Sequence, residues 1–140
     1  MAAALFHNLI QMNHGNCDHW QIESAGTWAS PGQPAAYEVQ EILKTMGIDL
    51  SDHRSRCVSK ELLQNFCLIL TMERGQKESL SIEFPEFKHR IFMLSEMSGV
   101  DVSIKDPIGG TIEDFERGLN DISGWLSRGQ AQIKLLARCN

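Results

Sequence analysis

The sequence lacks the features that mark membrane, secreted and nucleic-acid-binding proteins. No apolar stretch approaches the roughly 20 residues that a transmembrane helix needs. The amino terminus has no basic segment followed by a long apolar run, as a signal peptide would have. The net charge is −5 and no basic face or arm is visible, which disfavours nucleic acid as a partner. We therefore expect a cytoplasmic protein that binds neither membrane nor nucleic acid.

Closely spaced cysteine pairs are absent as well. The chain has four cysteines, at Cys17, Cys57, Cys67 and Cys139. None of them forms the Cys-x-x-Cys spacing of a redox motif or a zinc site. We interpret all four as free thiols in a reducing compartment.

A cluster of metal-ligand residue types occurs once, in the segment HGNCDH. It contains His14, Cys17, Asp18 and His19. A closed zinc site needs four convergent ligands, and no second cluster lies elsewhere in the chain to complete one. We interpret the segment as a polar loop and expect neither a metal nor another cofactor.

What the sequence does contain is an alternation of helices and strands in 140 residues, the length of one domain. Apolar periodicity and continuous apolar runs distinguish the two kinds of element. The predicted helices are Met1–Met12, Ala35–Met46, Ser59–Asn65, Gly75–Phe84 and a final helix from Thr111. The predicted strands are His19–Thr27, Phe66–Met72 and Arg90–Met97.

Local end signals support several of these helices. Gly47 is a fitting stop for the second helix, and Ser59 is a plausible N-cap for the third. Thr111 and Asp114 have the spacing of a capping box at the start of the last helix.

Alternating strands and helices predict an α/β three-layer sandwich with a small parallel sheet. The first helix, MAAALFHNLI, has no strand before it. A βαβ arrangement would place a strand there, so the sheet is expected to lack its first strand.

Three segments carry a resemblance to a known family. They are SAGTWASPGQPAAYEVQEILKTMGIDLSDHRSR, LILTMERG and DPIGGTIEDFE. In order and spacing they resemble the low-molecular-weight protein tyrosine phosphatases, over nearly the whole chain from Met1 to about Leu126. The resemblance implies hydrolysis of phosphate from phosphorylated proteins through a phosphocysteine intermediate, without a cofactor.

In that family a buried strand and a phosphate-binding loop, Cys-x5-Arg-Ser/Thr, precede the first helix. No cysteine in this sequence has an arginine six residues later. The residues at that distance from Cys17, Cys57 and Cys67 are Glu23, Leu63 and Glu73. We therefore expect residues 1–140 to form a single, N-terminally truncated domain that is inactive as it stands, because the thiolate nucleophile and the arginine are missing.

The resemblance also implies roles for residues that are present. Asp106, before Pro107, matches the general acid; the alternative is a plain Asp-Pro turn. Ser24 and His53 match residues that support the phosphate loop, although a strand-end turn and a surface-loop position are the simpler interpretations. Trp28 lies near the position of an aromatic residue that walls the substrate cleft, with a partly buried loop anchor as the alternative.

The sequence does not decide whether the ancestral enzyme acted on phosphotyrosine or on phosphoarginine. Ile108 stands where phosphotyrosine-directed members commonly carry Tyr or Phe, and an aliphatic side chain cannot stack on a phenyl ring. The run SAGTWASP is similar to the branch that removes phosphate from arginine. The related arsenate reductases need two further cysteines after the third strand, and the segment TMERGQKESLSIEF has none.

Two hypotheses explain the missing loop. Either the true start lies upstream of Met1, or the short form is a catalytically dead scaffold or protein-binding module. We favour the first, because deleting a sheet strand is structurally costly: each buried unpaired backbone group costs roughly 1–3 kcal/mol. We expect a marginally stable chain, or one that compensates by re-pairing or by forming a homo-oligomer.

Overall fold

The computed structural model describes residues 1–14, 19–107 and 109–138. Five α-helices occur in this part of the chain: α1 (Ala2–His14), α2 (Tyr37–Thr45), α3 (Lys60–Leu63), α4 (Arg74–Glu83) and α5 (Ile112–Leu136). Two 3-10 helices (Pro85–Arg90 and Leu94–Ser98) flank the second of two strands, β1 (Ile69–Thr71) and β2 (Ile91–Met93). Among the helices described, none is long and apolar enough to cross a membrane.

The predicted helices are confirmed, together with the local signals at their ends. The Ser59 hydroxyl accepts a hydrogen bond from the Leu62 amide and so caps α3. Gly47 has a φ of 76°, the left-handed conformation that ends α2 without a steric penalty. At the start of α5, the Thr111 amide donates to the Asp114 carboxylate and the Asp114 amide donates to the Thr111 hydroxyl.

The α/β class is confirmed, and the sheet is small. Strands β1 and β2 are parallel and pair Ile69 with Ile91 and Thr71 with Met93. The predicted strand Arg90–Met97 is shorter than expected, since only Ile91–Met93 forms β2. The chain turns into a 3-10 helix at Leu94, because the Glu96 carboxylate accepts a hydrogen bond from the Met93 amide and folds the backbone back.

The prediction of a strand over His19–Thr27 is wrong. In this segment only Gly26 forms a bridge, an isolated parallel one with Cys57. A strand needs a partner along its length, and within the described residues this segment has a ladder partner only at its end. Apart from this bridge, the Arg56 side chain contacts the segment at Glu23 and Ser24.

The chain divides into two compact units, each with its own apolar interior. Unit 1 comprises Met1–Cys57 and Pro107–Ser123, and unit 2 comprises Val58–Asp106 and Gly124–Asn140. In unit 1 the buried apolar side chains are Leu5, Phe6, Ile10, Val39, Leu43, Phe115, Leu119 and Ile122. In unit 2 they are Leu63, Leu80, Phe87, Ile91, Met93, Leu94, Met97, Ile104, Leu126 and Ile133.

In unit 1 the inner face of α1 is apolar, as its sequence pattern predicts. Leu5 and Ile10 are buried on this face. Phe6 beside them meets Trp20 edge to face, with ring centroids 5.5 Å apart. Edge-to-face aromatic pairs add to the stabilisation that burial gives, so Trp20 ties the segment after α1 back onto the helix.

In unit 2 the helix α4 is fixed in its first turn. Its first turn has a reciprocal cap between Glu73 and Gln76. The Lys77 ammonium lies 2.8 Å from the Glu96 carboxylate and above the ring of Phe92. Because Glu96 also caps the Met93 amide, this ion pair links α4 to the end of β2.

The expectation of four free thiols is wrong for Cys67, which is disulfide-bonded. A thiol in the apolar run FCLILTM was expected to act as a small hydrophobic group, and its side chain is only half-buried. Cys57 is a free, exposed cysteine, as predicted.

Candidate active site

Asp106 lies at the end of a segment that runs along unit 2. The Ile104 amide in this segment donates to the Met72 carbonyl at 2.8 Å, and the Ile104 side chain is buried. Met72 directly follows β1, so the bond lies at the carboxyl end of the parallel sheet, where ligands of open α/β folds bind. Asp106, two residues further, is exposed, and its role as a general acid stays a prediction.

The residues after Asp106 form the tight turn that their types predict. The Gly110 amide donates to the Pro107 carbonyl at 2.8 Å, and Gly109 has a φ of 78°, which favours glycine. A Cβ atom at Gly110 would lie 2.9 Å from both the Pro107 carbonyl oxygen and the Asp114 side chain. Ile108, the predicted substrate-contacting residue, lies outside the described residues.

Ser24 is held through its backbone. Its carbonyl accepts a hydrogen bond from Arg56 Nε at 3.0 Å. The same guanidinium pairs with the Glu23 carboxylate at 2.5 Å, and the Arg56 carbonyl accepts from the Gly26 amide at 3.0 Å. The Ser24 residue is exposed, and its support of a phosphate loop stays a prediction.

Arg56 is a residue to which the sequence analysis gave no role. It forms three contacts with the segment 23–26 and replaces the ladder that the predicted strand lacks. Its position at the end of SDHRSR, a segment quoted for the family resemblance, is the only signal that marked it.

Trp28 projects into solvent with 96% of its surface exposed. The alternative of a partly buried loop anchor is therefore wrong, and a role at the cleft wall stays a prediction. The backbone on either side of Trp28 is nevertheless fixed. The Cys57 thiol donates to the Ala29 carbonyl, and the Ser55 hydroxyl bridges the Ser30 carbonyl and the Gln33 amide.

His53 is half-buried within the same unit. Burial lowers the pKa of its imidazole below the usual 6.5, and the positive charges of the Met1 amino group, Arg56 and Arg54 lower the pKa further.

We expect the free energy of unfolding to depend on His53 below pH 6.5. Because the folded-state pKa is depressed, the stabilisation is complete above the unfolded pKa and is lost as the pH falls through the folded value. Urea unfolding at pH 7.5 and 5.5 should show a smaller loss of stability for His53→Asn than for the parent chain. Equal losses in the two proteins would contradict this.

No cysteine in the sequence has an arginine six residues later, the spacing that the family resemblance implies for a phosphate-binding loop. The exposed Cys57 thiol donates a hydrogen bond to the Ala29 carbonyl, and the residue six positions after Cys57 is Leu63. Of the HGNCDH segment, Cys17 and Asp18 lie outside the described residues. The residues that the structure does describe contain no group of three His, Cys, Asp or Glu that could hold a metal ion.

Comparison with known proteins gives a consistent result over most of the chain. The model of the family "Low molecular weight phosphotyrosine protein phosphatase" matches residues 1–134. A protein-arginine-phosphatase of Geobacillus stearothermophilus is 33% identical over 109 residues, which are 77% of this chain and 73% of the relative.

Two solved structures extend the similarity to the fold. The low molecular weight protein tyrosine phosphatase from T. tengcongensis superposes with a TM-score of 0.86 at 32% identity, covering 94% of this chain and 88% of that one. The YwlE arginine phosphatase from Geobacillus stearothermophilus gives a TM-score of 0.84 at 30% identity, covering 99% and 88%. With the matching family model, these similarities show that the chain belongs to the low molecular weight phosphotyrosine protein phosphatase family.

Proposed function

We propose that this chain is the acid-bearing part of a phosphoprotein phosphatase and that its 140 residues alone perform no turnover. The observation that carries the proposal is the combination in one sequence of DPIGG with the absence of any Cys-x5-Arg segment. The exposed position of Asp106 beyond the carboxyl end of β1 supports a catalytic role for its carboxyl group.

The reaction requires three groups. A cysteine thiolate attacks phosphorus, and its pKa has to be lowered by amide groups at a helix amino terminus. An arginine holds the phosphoryl oxygens through paired hydrogen bonds. The Asp106 carboxyl gives its proton to the leaving atom as the bond to phosphorus breaks, and water then hydrolyses the phosphocysteine. The sequence supplies the third group and not the first two.

We propose phosphorylated arginine in proteins as the substrate class. Two observations favour it over phosphotyrosine: the similarity to a protein-arginine-phosphatase at 33% identity, and an aliphatic residue at Ile108, which offers a phenyl ring apolar contact without stacking. With this substrate, the P–N bond breaks and the proton from Asp106 goes to the leaving guanidine nitrogen. Such a role agrees with the cytoplasmic location that we expect.

The test of inactivity measures phosphate release by the 140-residue chain from an aryl phosphate and from a phosphoarginine peptide. We expect no release above that of the Asp106→Ala variant with either substrate. Retention of the phosphopeptide without turnover would favour the binding-module alternative. Turnover that disappears in Asp106→Ala would show that the chain has a nucleophile elsewhere and would refute the proposal.

We also propose that the chain is marginally stable or forms a homo-oligomer. Two paired strands of three residues each make a sheet below the size that is usually stable without further packing. Sedimentation and thermal unfolding test this at several protein concentrations: we expect either an unfolding midpoint below the 45–65 °C usual for mesophilic domains or a concentration-dependent oligomer. A monomer with a midpoint above that range would contradict it.

A further inference from the structure

Cys67 forms a disulfide bond at the point where the sheet of unit 2 begins. The residue is disulfide-bonded and half-buried, and it stands two positions before Ile69, the first residue of β1. The Arg90 guanidinium donates to the carbonyl of the preceding residue, Phe66, at 3.2 Å. The disulfide is therefore a covalent restraint at the entry to β1.

The entry to β1 leads into the apolar interior of unit 2. Ile69 packs against a buried cluster that comprises Leu63, Leu80, Phe87 and Ile91. The strand itself is three residues long and pairs with β2. Because so short a ladder contributes little stability of its own, a covalent restraint at its start has a large effect.

The cysteine that Cys67 binds is distant in the sequence. Cys57 is free, and the two other cysteines, Cys17 and Cys139, lie outside the described residues. They are 50 and 72 residues from Cys67 along the chain. With either partner the bond closes a long loop, and the stabilisation by a disulfide is expected to grow with the length of the loop that it closes.

Two observations favour a disulfide that can be opened in the folded chain. Cys67 is only half-buried, and exposed disulfides are the ones that thiols reduce readily. The cytoplasmic location that we expect is also reducing, and the disulfides of cytosolic proteins are usually transient or redox-sensing.

We propose that the disulfide of Cys67 is a redox-sensitive staple, reduced in the folded chain by cellular dithiols. One thiolate of the dithiol attacks a sulfur of the bond and forms a mixed disulfide, which the second thiolate resolves. The dithiol gives up two electrons and leaves as a disulfide, and its two hydrogens end on the protein sulfurs. The reduced chain lacks the restraint at β1 and is less stable. Neither Asp106 nor turnover takes part.

Cys57 provides a matched control in unit 1. It is a free, exposed cysteine, and its thiol donates to the Ala29 carbonyl. Cys57→Ser keeps a hydrogen-bond donor there and leaves the disulfide intact. Cys67→Ser makes the same chemical change and removes the disulfide.

The first measurement counts thiols in the 140-residue chain after air oxidation at low protein concentration. Alkylation in denaturant should modify two of the four cysteines before reduction and all four after it. Dithiothreitol should reduce the bond without denaturant as well, because Cys67 is partly exposed. Modification of all four cysteines before reduction, or a bond that opens only in denaturant, would overturn the proposal.

Thermal unfolding then measures what the bond contributes. We expect the midpoint of the oxidised parent to exceed that of the reduced parent by about 6–12 °C, with the same difference in Cys57→Ser. Cys67→Ser should not respond to dithiothreitol and should unfold near the reduced parent. Equal midpoints of the oxidised and reduced parent, or a response that persists in Cys67→Ser, would contradict the staple. If Cys67→Ser does not fold, a response that disappears in Cys57→Ser would overturn it.

Discussion

Once a nucleophilic cysteine and a phosphate-binding arginine are supplied, Asp106→Ala is expected to lower phosphatase activity by about 10²- to 10⁴-fold. We would fuse a segment with a strand and a Cys-x5-Arg-Ser loop ahead of Met1 and measure aryl phosphate hydrolysis. The loss on substitution arises because an unprotonated leaving oxygen departs with a full negative charge. It should therefore be largest for the aryl phosphates with the most basic leaving groups.

A matched control for this substitution is Asp121→Ala, which removes an exposed carboxylate on α5. Activity within about twofold of the fused parent is expected, since surface substitutions rarely have large effects. Equal activities of the Asp106 and Asp121 variants, across leaving groups of different basicity, would show that Asp106 is a plain turn residue.

Leu94→Ala is expected to lower the free energy of unfolding by about 2–5 kcal/mol. Leu94 is 0% exposed and directly follows β2, where the chain turns into the second 3-10 helix. The substitution removes buried apolar surface and leaves a cavity that its packed neighbours cannot close. Because whole domains are stable by only about 5–15 kcal/mol, a marginally stable chain would unfold.

The control makes the same Leu→Ala change at a solvent-exposed leucine. Leu135 lies in α5 and is 62% exposed, so Leu135→Ala should alter the free energy of unfolding by no more than about 0.5 kcal/mol. Urea unfolding of the three proteins measures the difference. Similar midpoints for both variants would mean that the interior of unit 2 is loosely packed around Leu94.

The elements that could be predicted are those determined by neighbouring residues. Helix periodicity, the Ser59 cap, the Gly47 stop and the Thr111 capping box all depend on residues within one helical turn. The turn after Asp106 belongs to the same class, because proline and glycine determine it locally.

The features that escaped prediction depend on distant residues. The segment His19–Thr27 has the composition of a strand, but a strand forms only where a partner lies beside it. Arg56 contacts Ser24 across 32 residues of sequence, and no local pattern indicates that pairing. The run after β2 is apolar enough for a longer strand, and only the contact of Glu96 with the Met93 amide shows why it bends.

The same distinction applies to the candidate site. Asp106 was singled out because a short motif carries it, and its role as a general acid stays a prediction. The contacts of Arg56 with residues 23–26 join distant parts of the sequence and become visible only in the folded chain.

The most direct test of the central claim is a rapid-mixing measurement of aryl alcohol release by the 140-residue chain. A phosphocysteine intermediate produces a burst of product before steady turnover. We predict no burst, because no cysteine in the sequence has an arginine six residues later. A burst approaching one equivalent of aryl alcohol per chain would contradict the account.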